Sequence, residues 1–253
     1  MTIDAALPTK KGKKEPEKFG PGSDIYKSHP NQVIGTINDT HVLVLNIYPV
    51  FRPQYLLLTL NSYRSQNEPL DLQDIEATWA FLQSVQSPHF ALYNCSQEAS
   101  CSRNHKHLQI FKKPETAGRN DTHNFQFFPD VKDQEIQVPY VYFIYYFDSL
   151  GYGEPIDAKT VFNIYMDLLQ KCRKSLGIPM DDSLSLCPHN VFIVKEWIVV
   201  TPRRRGFFEG MSGNALAMMG MPTIVTMNQF EMWKAIGPSK ILGELGVSSR
   251  SGI

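Results

Sequence analysis

Seven short runs rich in β-branched, leucine and aromatic residues recur along the chain, and they limit its fold more than any other feature. They lie at 41–48, 55–60, 89–95, 105–112, 139–147, 190–195 and 197–201. Runs of this length and composition predict β-strands. Apolar residues at helical spacing predict helices at 72–85, 158–176 and 227–236, whereas 61–70, 114–138 and 203–224 look irregular. The pattern predicts an α+β fold, a mostly antiparallel sheet with helices packed on one side.

Composition sets the outer limits on organisation and location. The chain has 253 residues, 42% of them apolar, and we expect residues 22–253 to form one domain. Residues 1–21 are lysine-rich without apolar periodicity, which predicts a flexible basic tail. Because 25 basic residues balance 25 acidic ones, charge favours neither a nucleic acid nor a membrane as partner. Sparse cysteines and the lack of a secretory signal or long apolar run predict a cytoplasmic protein, with nuclear access left open.

The fourth predicted strand contains the run His-Lys-His-Leu-Gln. Side chains alternate along a strand, so His105, His107 and Gln109 are expected on one face. Such a face can hold zinc, with Cys95 and Cys101 close in sequence, although their spacing fits no familiar ligand set. It can also supply a nucleophile, because neutral imidazole attacks phosphorus without an external base. Finally, the histidines can be structural, satisfied by local hydrogen bonds. The pattern alone leaves these three alternatives open.

The surroundings of this run resemble the histidine-triad superfamily, specifically its transferase branch, in which glutamine replaces the third histidine. Within that branch the likeness is to fungal-type diadenosine tetraphosphate (Ap4A) phosphorylases, also called ATP adenylyltransferases. Matching motifs occur in the family's order over about residues 18–247, which is more specific than one isolated motif. They comprise Asn46, Pro49, Val50, Pro53, Gln54, 56–59, Tyr93, Asn94, Ser102, 105–109, His189, Asn190, 195–197, Pro202, Arg203, 214–216, Gly220 and Met221.

This resemblance implies a HIT-like, galactose-1-phosphate uridylyltransferase-like antiparallel sheet and a nucleotidyltransferase activity. His107 is the implied nucleophile, which forms an adenylyl-histidine from Ap4A or a related dinucleoside polyphosphate. Phosphate then takes the adenylyl group, so the reversible reaction yields ATP and ADP. Gln109 is expected to hold a non-bridging phosphate oxygen, and His105 to shape the pocket and orient His107.

The resemblance also implies a set of substrate-binding residues, partly in a small-residue loop before the histidine strand and partly in the C-terminal segment at about 185–247. The set is Asn46, Asn94, Ser100, Cys101, Ser102, Arg103, Asn214, Ala215, Leu216 and Met221. We expect a small-molecule nucleotide as partner and a divalent cation such as Mg²⁺ that arrives with it. Neither an organic cofactor nor a dedicated protein metal site is expected, and the sequence leaves the oligomeric state open.

Several positions depart from the family pattern. Ile47 and Val225 stand where relatives carry lysine, Tyr55 stands where they carry histidine, and relatives have additional N-terminal residues. Burying the charges of a tetraphosphate without cations is costly, so we expect weaker phosphate binding, slower transfer or both. Two alternatives stay open, a catalytically impaired nucleotide-binding sensor of the same fold and a dinucleoside polyphosphate hydrolase. A hexose-phosphate uridylyltransferase fits less well, because that family carries proline between the histidines.

Overall fold

A computed structural model of the chain contains one large antiparallel sheet. It describes residues 30–114, 126–131, 137–150, 156–179, 182 and 185–249, so the predicted tail at 1–21 lies outside the described residues. The strands are β1 (Val33–Ile37), β2 (His41–Leu45), β3 (Gln54–Thr59), β4 (His89–Cys95), β5 (His107–Lys112), β6 (Phe143–Tyr146), β7 (His189–Ile193) and β8 (Trp197–Pro202). Across the sheet their order is β1-β2-β3-β5-β4-β7-β8-β6. Each pair of neighbours is antiparallel, and β5 is central.

Five α-helices, four short 3₁₀ helices and a small hairpin complete the described elements. The helices are α1 (Leu72–Ser84), α2 (Ala158–Ser175), α3 (Ala215–Met218), α4 (Met227–Ile236) and α5 (Pro238–Leu245), and the hairpin joins β9 (Phe207–Phe208) to β10 (Met211–Ser212). Helix α1 begins with a capping box, because Asp71 accepts from the Asp74 amide and Asp74 accepts from the Asp71 amide. No helix in the described ranges is long and apolar enough to cross a membrane.

The two long helices pack on one face of the sheet. Leu57, Ala91 and Leu108 point from the central strands toward α1 and α2 and form the largest apolar cluster with them. The alternate residues, including Phe90 and Phe192, point to the opposite face. There they form a second cluster with the short helix α3, which packs on β4 and β7. The α+β architecture with its mostly antiparallel sheet is confirmed, with α1 and α2 together on one side.

Element boundaries differ from the sequence predictions in a few places. Strand β1 and helices α3 and α5 were not predicted, and the segment at 203–224 contains the β9–β10 hairpin besides α3. The predicted strand at 105–112 begins two residues later, at His107. His105 instead forms an isolated antiparallel bridge with Ser65. The predicted strand at 139–147 is reduced to β6, and most of the segment at 114–138 lies outside the described residues.

Candidate functional site

A cavity of about 280 Å³ opens on the sheet face opposite α1 and α2. Residues of β3, β5, the loop before β5 and the C-terminal segment enclose it. Its lining consists of Asn46, Tyr48, Val50, Gln54, Leu56, Ser100, Ser102, Arg103, His107, Gln109, Ser212, Gly213, Asn214, Ala217 and Thr223. Seven of the residues predicted for the site, Asn46, Ser100, Ser102, Arg103, His107, Gln109 and Asn214, therefore lie together around one cavity.

The ring of His107 is held in one orientation and in one tautomer. Its Nδ1 atom lies 2.8 Å from the carbonyl oxygen of His105. A carbonyl oxygen can only accept, so Nδ1 carries a proton, and in the neutral ring the lone pair is then on Nε2. The side chain lines the cavity although only 4% of His107 is exposed. A neutral imidazole with its proton on the far nitrogen is the form that can act as a nucleophile here.

The ring of His105 lies away from the cavity. Its Nε2 atom is 2.9 Å from the carbonyl oxygen of Thr59 and 3.0 Å from the Thr59 hydroxyl, and the residue is fully buried. The orienting role predicted for His105 is thus available through its main-chain carbonyl, which receives the proton of His107 Nδ1. The ring of His105 is not among the groups that line the cavity.

Between the two histidines, Lys106 points to the opposite face and is fully buried. Its Nζ atom lies 2.6 Å from Asp74 Oδ2 and donates to the carbonyl oxygen of Pro69 at 2.7 Å. His41 Nε2 lies 3.0 Å from the other carboxylate oxygen of Asp74. Burial alone would raise the pKa of Asp74, but the hydrogen bond from His41 and the charge on Lys106 outweigh it and hold that pKa well below its usual range.

Gln109 presents a donor to the cavity. Its Oε1 atom accepts a hydrogen bond of 2.8 Å from Gln54 Nε2, and Gln54 Oε1 in turn accepts from the amide of Val50 at 2.9 Å. With its oxygen engaged, Gln109 has its Nε2 group left for a ligand. Gln54 belongs to the matching motif but was not predicted as a site residue, because its role depends on contacts across strands.

The loop from Ser96 to Asn104 encloses the cavity beside His107. Ser102 and Arg103 line the cavity, and Arg103 is the one charged side chain among its described lining residues. Ser100 has a left-handed backbone with φ of 62°, and its hydroxyl is within donating distance of the carbonyls of Gly206 and Gly213, at 2.8 and 3.0 Å. That hydroxyl therefore ties the loop to the C-terminal segment.

Asn94 and Asn214 fix that C-terminal segment to the sheet. Asn214 caps α3, and its Oδ1 atom accepts from the amides of Leu216 and Ala217. Asn94 Oδ1 accepts from the Ala215 amide at 2.9 Å and from Asn190 Nδ2 at 2.8 Å. Asn94 connects the segment to β4 and β7 rather than lining the cavity.

Asn190 is hydrogen-bonded to a buried arginine, Arg203. Arg203 Nη1 donates to Asn190 Oδ1, and Arg203 Nε donates to the carbonyl oxygen of Leu245 in α5 at 3.1 Å. None of the described carboxylates forms an ion pair with this guanidinium, and burial lowers the pKa of Arg203 to about 9. The guanidinium still carries a positive charge at neutral pH and joins β7, β8 and α5.

Five predicted site residues besides His105 lie outside the cavity lining, and they are Asn94, Cys101, Ala215, Leu216 and Met221. Ala215 and Leu216 are buried against the second apolar cluster, and Met221 packs on it. Cys101 is half-buried in the loop, where its amide donates to the Ser96 carbonyl. Their positions support the walls of the site. Gly213, Ser212 and Thr223 line the cavity without having been predicted, because they lie in a stretch with no periodic pattern.

The described residues contain no ligand set for the alternative of a zinc site, since no group of three or more of their His, Cys, Asp or Glu side chains is placed to hold a metal ion. Cys95 is buried, with its Sγ atom toward the carbonyls of Asn67 and Glu68. The described lining also offers no carboxylate to Mg²⁺. An ion bound here would need the phosphates of a nucleotide as its main ligands.

Exposed apolar side chains stand at the mouth of the cavity. Ile47, Tyr48 and Val50, in the loop between β2 and β3, are each about half exposed or more, and Tyr48 is 81% exposed. Val225, two residues after the lining residue Thr223, is also exposed. Ile47 and Val225, where the resemblance predicted lysine, are thus both exposed to solvent.

Two family models match consecutive parts of the chain. The Ap4A phosphorylase N-terminal domain matches residues 7–123, and the ATP adenylyltransferase C-terminal domain matches residues 136–248. The chain belongs to the Ap4A phosphorylase family. Strands from both matched parts, β4 and β7, pair at the centre of the large sheet, and residues of both parts line the cavity.

Individual relatives agree with this membership. The chain is 27% identical to Protein APA1 of Saccharomyces cerevisiae over 207 residues, 77% of this chain and 64% of that protein. It is 26% identical to diadenosine 5',5'''-P1,P4-tetraphosphate phosphorylase 2 of the same yeast, over 64% of this chain and 54% of the relative. The matches thus span less than two thirds of either relative.

Solved structures share the fold. Yeast Ap4A phosphorylase Apa2 in complex with AMP superposes with a TM-score of 0.73 at 22% identity, covering 90% of this chain and 81% of Apa2. Apa2 in complex with Ap4A gives a TM-score of 0.67 at 21% identity, over 83% of this chain and 75% of Apa2. At this level of identity the likeness establishes the common architecture.

Proposed function

We propose that this protein is a nucleotidyltransferase that cleaves Ap4A or a related dinucleoside polyphosphate with phosphate, yielding ATP and ADP. One observation carries the proposal, the ring of His107 held through Nδ1 by the His105 carbonyl at a cavity on the central strand. Membership of the Ap4A phosphorylase family supports the choice of substrate, and one of the two yeast relatives is named for that activity.

In the first step, His107 Nε2 attacks the phosphorus that bears the first adenosine. A phosphorus–nitrogen bond forms, and the bond from that phosphorus to the bridging oxygen breaks. The electron pair of the broken bond leaves with the oxygen on ATP. Because His107 Nδ1–H donates to a backbone carbonyl, the positive charge that develops on the ring is stabilised by that oxygen dipole.

In the second step, an oxygen of inorganic phosphate attacks the same phosphorus. The phosphorus–nitrogen bond breaks, its electron pair returns to Nε2, and ADP leaves. The ring then has its starting tautomer, so the enzyme is ready for another cycle. Both steps are reversible, since each exchanges one bond at phosphorus for another of the same order.

Two other lining residues suit this chemistry. Gln109 Nε2 can donate to a non-bridging oxygen of the reacting phosphoryl group, where negative charge accumulates in the transition state. Arg103 supplies positive charge beside it from the loop. Mg²⁺ would neutralise further charge while held chiefly by the phosphates.

A nucleotide-binding protein with weak catalysis is the second candidate. The specific observation behind it is the apolar rim formed by Ile47, Tyr48 and Val50, with Val225 near it and Arg103 as the one charged side chain of the described lining. Such a rim gives little electrostatic stabilisation to a long phosphate chain. We keep the transferase as the main proposal, because the geometry of His107 matches what a nucleophile requires.

The test uses purified protein, Ap4A and MgCl₂, with and without inorganic phosphate, and resolves the products by chromatography. ATP plus ADP formed only with phosphate supports the transferase, and ATP plus AMP without phosphate replaces it with a hydrolase. Binding of Ap4A without turnover supports the second candidate.

Variants then connect the activity to the ring. His107→Ala is expected to abolish transfer, and His107→Gly is expected to regain activity when imidazole is added. His89→Gln is the matched control, because His89 is a buried strand histidine outside the cavity lining. Full turnover by His107→Ala contradicts the proposed mechanism.

A further inference from the structure

Strands β4 and β5 separate beside the proposed nucleophile. Their pairing runs from His89 opposite Lys112 to Leu92 opposite Gln109 and then ends. Strand β4 nevertheless continues to Cys95 by pairing with β7. Continued in register, the pairing would bring Asn94 opposite His107. The sheet is therefore split at the residue that faces the cavity.

The side chain of Gln66 fills this split. Its Oε1 atom accepts from the amide of His107 at 2.8 Å, and its Nε2 group lies 3.1 Å from the carbonyl oxygen of His107. The same Nε2 group donates to the carbonyl oxygen of Asn94 at 3.0 Å. Only 1% of Gln66 is exposed. One carboxamide thus replaces the main-chain partner that β4 would have offered to His107.

The main chain of Gln66 joins the two ends of the cavity loop. Its amide donates to the carbonyl oxygen of Asn104 at 2.8 Å, and its carbonyl accepts from the amide of Ser96 at 3.0 Å. The hydroxyl of Tyr93 donates to the same carbonyl at 3.2 Å. Because these contacts use the main chain, a substitution at Gln66 can remove the side-chain hydrogen bonds and leave the main-chain hydrogen bonds in place.

We infer that Gln66 is a positioning residue for adenylyl transfer, whose carboxamide fixes the main chain of His107 so that Nε2 points into the cavity. The ring of His107 is held through Nδ1 by the carbonyl of His105, two residues earlier. That contact orients the ring only while the main chain between them is fixed. Gln66 fixes it at both the amide and the carbonyl of His107. This role rests on the proposed function.

The expected consequence is a defect in chemistry rather than in binding. A misplacement of about 1 Å at a reacting group can cost about a hundredfold in rate. Gln66→Met removes all three side-chain hydrogen bonds at nearly constant size, and we expect kcat to fall about a hundredfold while KM for Ap4A changes less than about threefold. Gln66→Glu keeps the acceptor for the His107 amide but places a buried carboxylate against the carbonyl oxygens of Asn94 and His107, so we expect a loss at least as large.

The control for the general loss of a buried hydrogen bond is Thr78→Val. The Thr78 hydroxyl donates to the Asp74 carbonyl at 2.7 Å inside α1, away from the cavity. We expect it to lower the thermal unfolding temperature without changing kcat. If Gln66→Met loses activity only through unfolding, its kcat returns to the wild-type value below its own transition, and the inference is overturned.

Imidazole rescue separates positioning of the ring from a structural role. In a His107→Gly background the attacking ring comes from solution, so adding Gln66→Met should leave the rescued rate within about threefold. An equal hundredfold loss in that background would show that Gln66 acts on the cavity as a whole and not on His107.

A measurement that requires no enzymatic reaction tests the role of Gln66 separately from the proposed function. Nitrogen-15 NMR of the His107 ring is expected to show the Nδ1–H tautomer in the wild type and a mixture of tautomers in Gln66→Met. An unchanged tautomer contradicts the positioning role, even if the protein proves to be a sensor. Conversely, absence of transfer by the wild type contradicts the proposed function and leaves the NMR result to decide the role of Gln66.

Discussion

The Nζ atom of Lys106 lies 2.6 Å from Asp74 Oδ2, and both side chains are fully buried behind the proposed nucleophile. Their ion pair joins the residue just before β5 to the first turn of α1. His41, also buried, donates to the same carboxylate. We expect Asp74→Asn to destabilise the protein by about 3–5 kcal/mol, because the substitution leaves the charge of Lys106 buried without its partner. Urea unfolding followed by tryptophan fluorescence measures the change.

Glu76→Gln is the control for this prediction, because Glu76 lies on the same helix and is only half-buried. We expect it to change the unfolding free energy by less than about 0.5 kcal/mol. Equal stability of Asp74→Asn and Glu76→Gln would mean that the buried pair contributes nothing. The double variant Asp74→Leu with Lys106→Met should be more stable than Asp74→Asn, since it removes both charges.

A buried histidine predicts a pH dependence of stability. His189 is fully buried, its Nδ1 donates to the Cys187 carbonyl, and its Nε2 accepts from the Tyr165 hydroxyl. Burial lowers the pKa of His189 from 6.5 to about 4. In the unfolded chain the ring takes up its proton near pH 6.5, whereas the folded protein keeps it neutral. Stability is therefore complete above pH 6.5 and falls as the pH drops toward 4, by about 1.4 kcal/mol per pH unit.

His189→Gln should remove this dependence. We expect the difference in unfolding free energy between wild type and variant to shrink by up to about 3 kcal/mol between pH 7 and pH 4. Chemical denaturation at half-unit pH steps measures it. Thr78→Val is the control, because it removes no titratable group and should leave the slope between those pH values unchanged. A constant difference across the range would contradict a neutral His189.

Much of the fold could be predicted from local patterns. The strand at 89–95 and the helix at 227–236 agree with β4 and α4. The apolar run of β4 reflects burial directly, since every residue of that strand is buried, whereas α4 buries only Trp233. Strand β1 was missed, since it has only five residues and contains Gly35. Helix α5 was missed because a Gly-Pro pair such as Gly237 and Pro238 usually marks a turn, whereas Pro238 occupies the first turn of this helix.

The site was predictable where it depends on strand alternation and not where it depends on distant contacts. The alternation placed His107 and Gln109 on the same face, and both line the cavity. His105 does not follow the alternation, because β5 begins after it and its ring is turned toward Thr59. Gln66 gave no signal in the sequence. Its side chain binds the main chain of His107, 41 residues later in the sequence, at the point where β4 and β5 separate.

Close packing between the cavity loop and the C-terminal segment predicts a second kind of defect. A Cβ atom added at Gly206 would lie 2.1 Å from the carbonyl oxygen of Gln97. Gly206→Ala must therefore push the two segments apart, and it should weaken the hydrogen bond from Ser100 to the Gly206 carbonyl. We expect a loss of about 1–3 kcal/mol of stability and a KM for Ap4A raised about tenfold, equivalent to 1.4 kcal/mol of binding.

Ser100→Ala provides the comparison for Gly206→Ala, because it removes the hydroxyl without adding a clash. Its effect on stability and on KM should be smaller than that of Gly206→Ala. Thermal unfolding and steady-state kinetics on the same preparations measure both. If Gly206→Ala binds Ap4A as the wild type does, the approach of the two segments does not shape the cavity.

The last prediction concerns the amide donor opposite His107. Gln54 Nε2 donates to Gln109 Oε1, which leaves Gln109 Nε2 for a phosphate oxygen. Gln109→Glu removes that donor and places a carboxylate near the phosphate, so kcat/KM should fall at least about a hundredfold, as when one transition-state donor is lost. Gln54→Leu leaves the donor present but unoriented, and a smaller loss, about tenfold, is expected. Because Gln109 is uncharged, we expect no ionisation of this side chain in the pH profile of wild-type activity. Gln109→His restores a possible donor, so it should be more active than Gln109→Glu and should add a pH dependence near 6.5. Equal kcat/KM for the wild type and Gln109→Glu would show that the phosphoryl group does not bind against this strand.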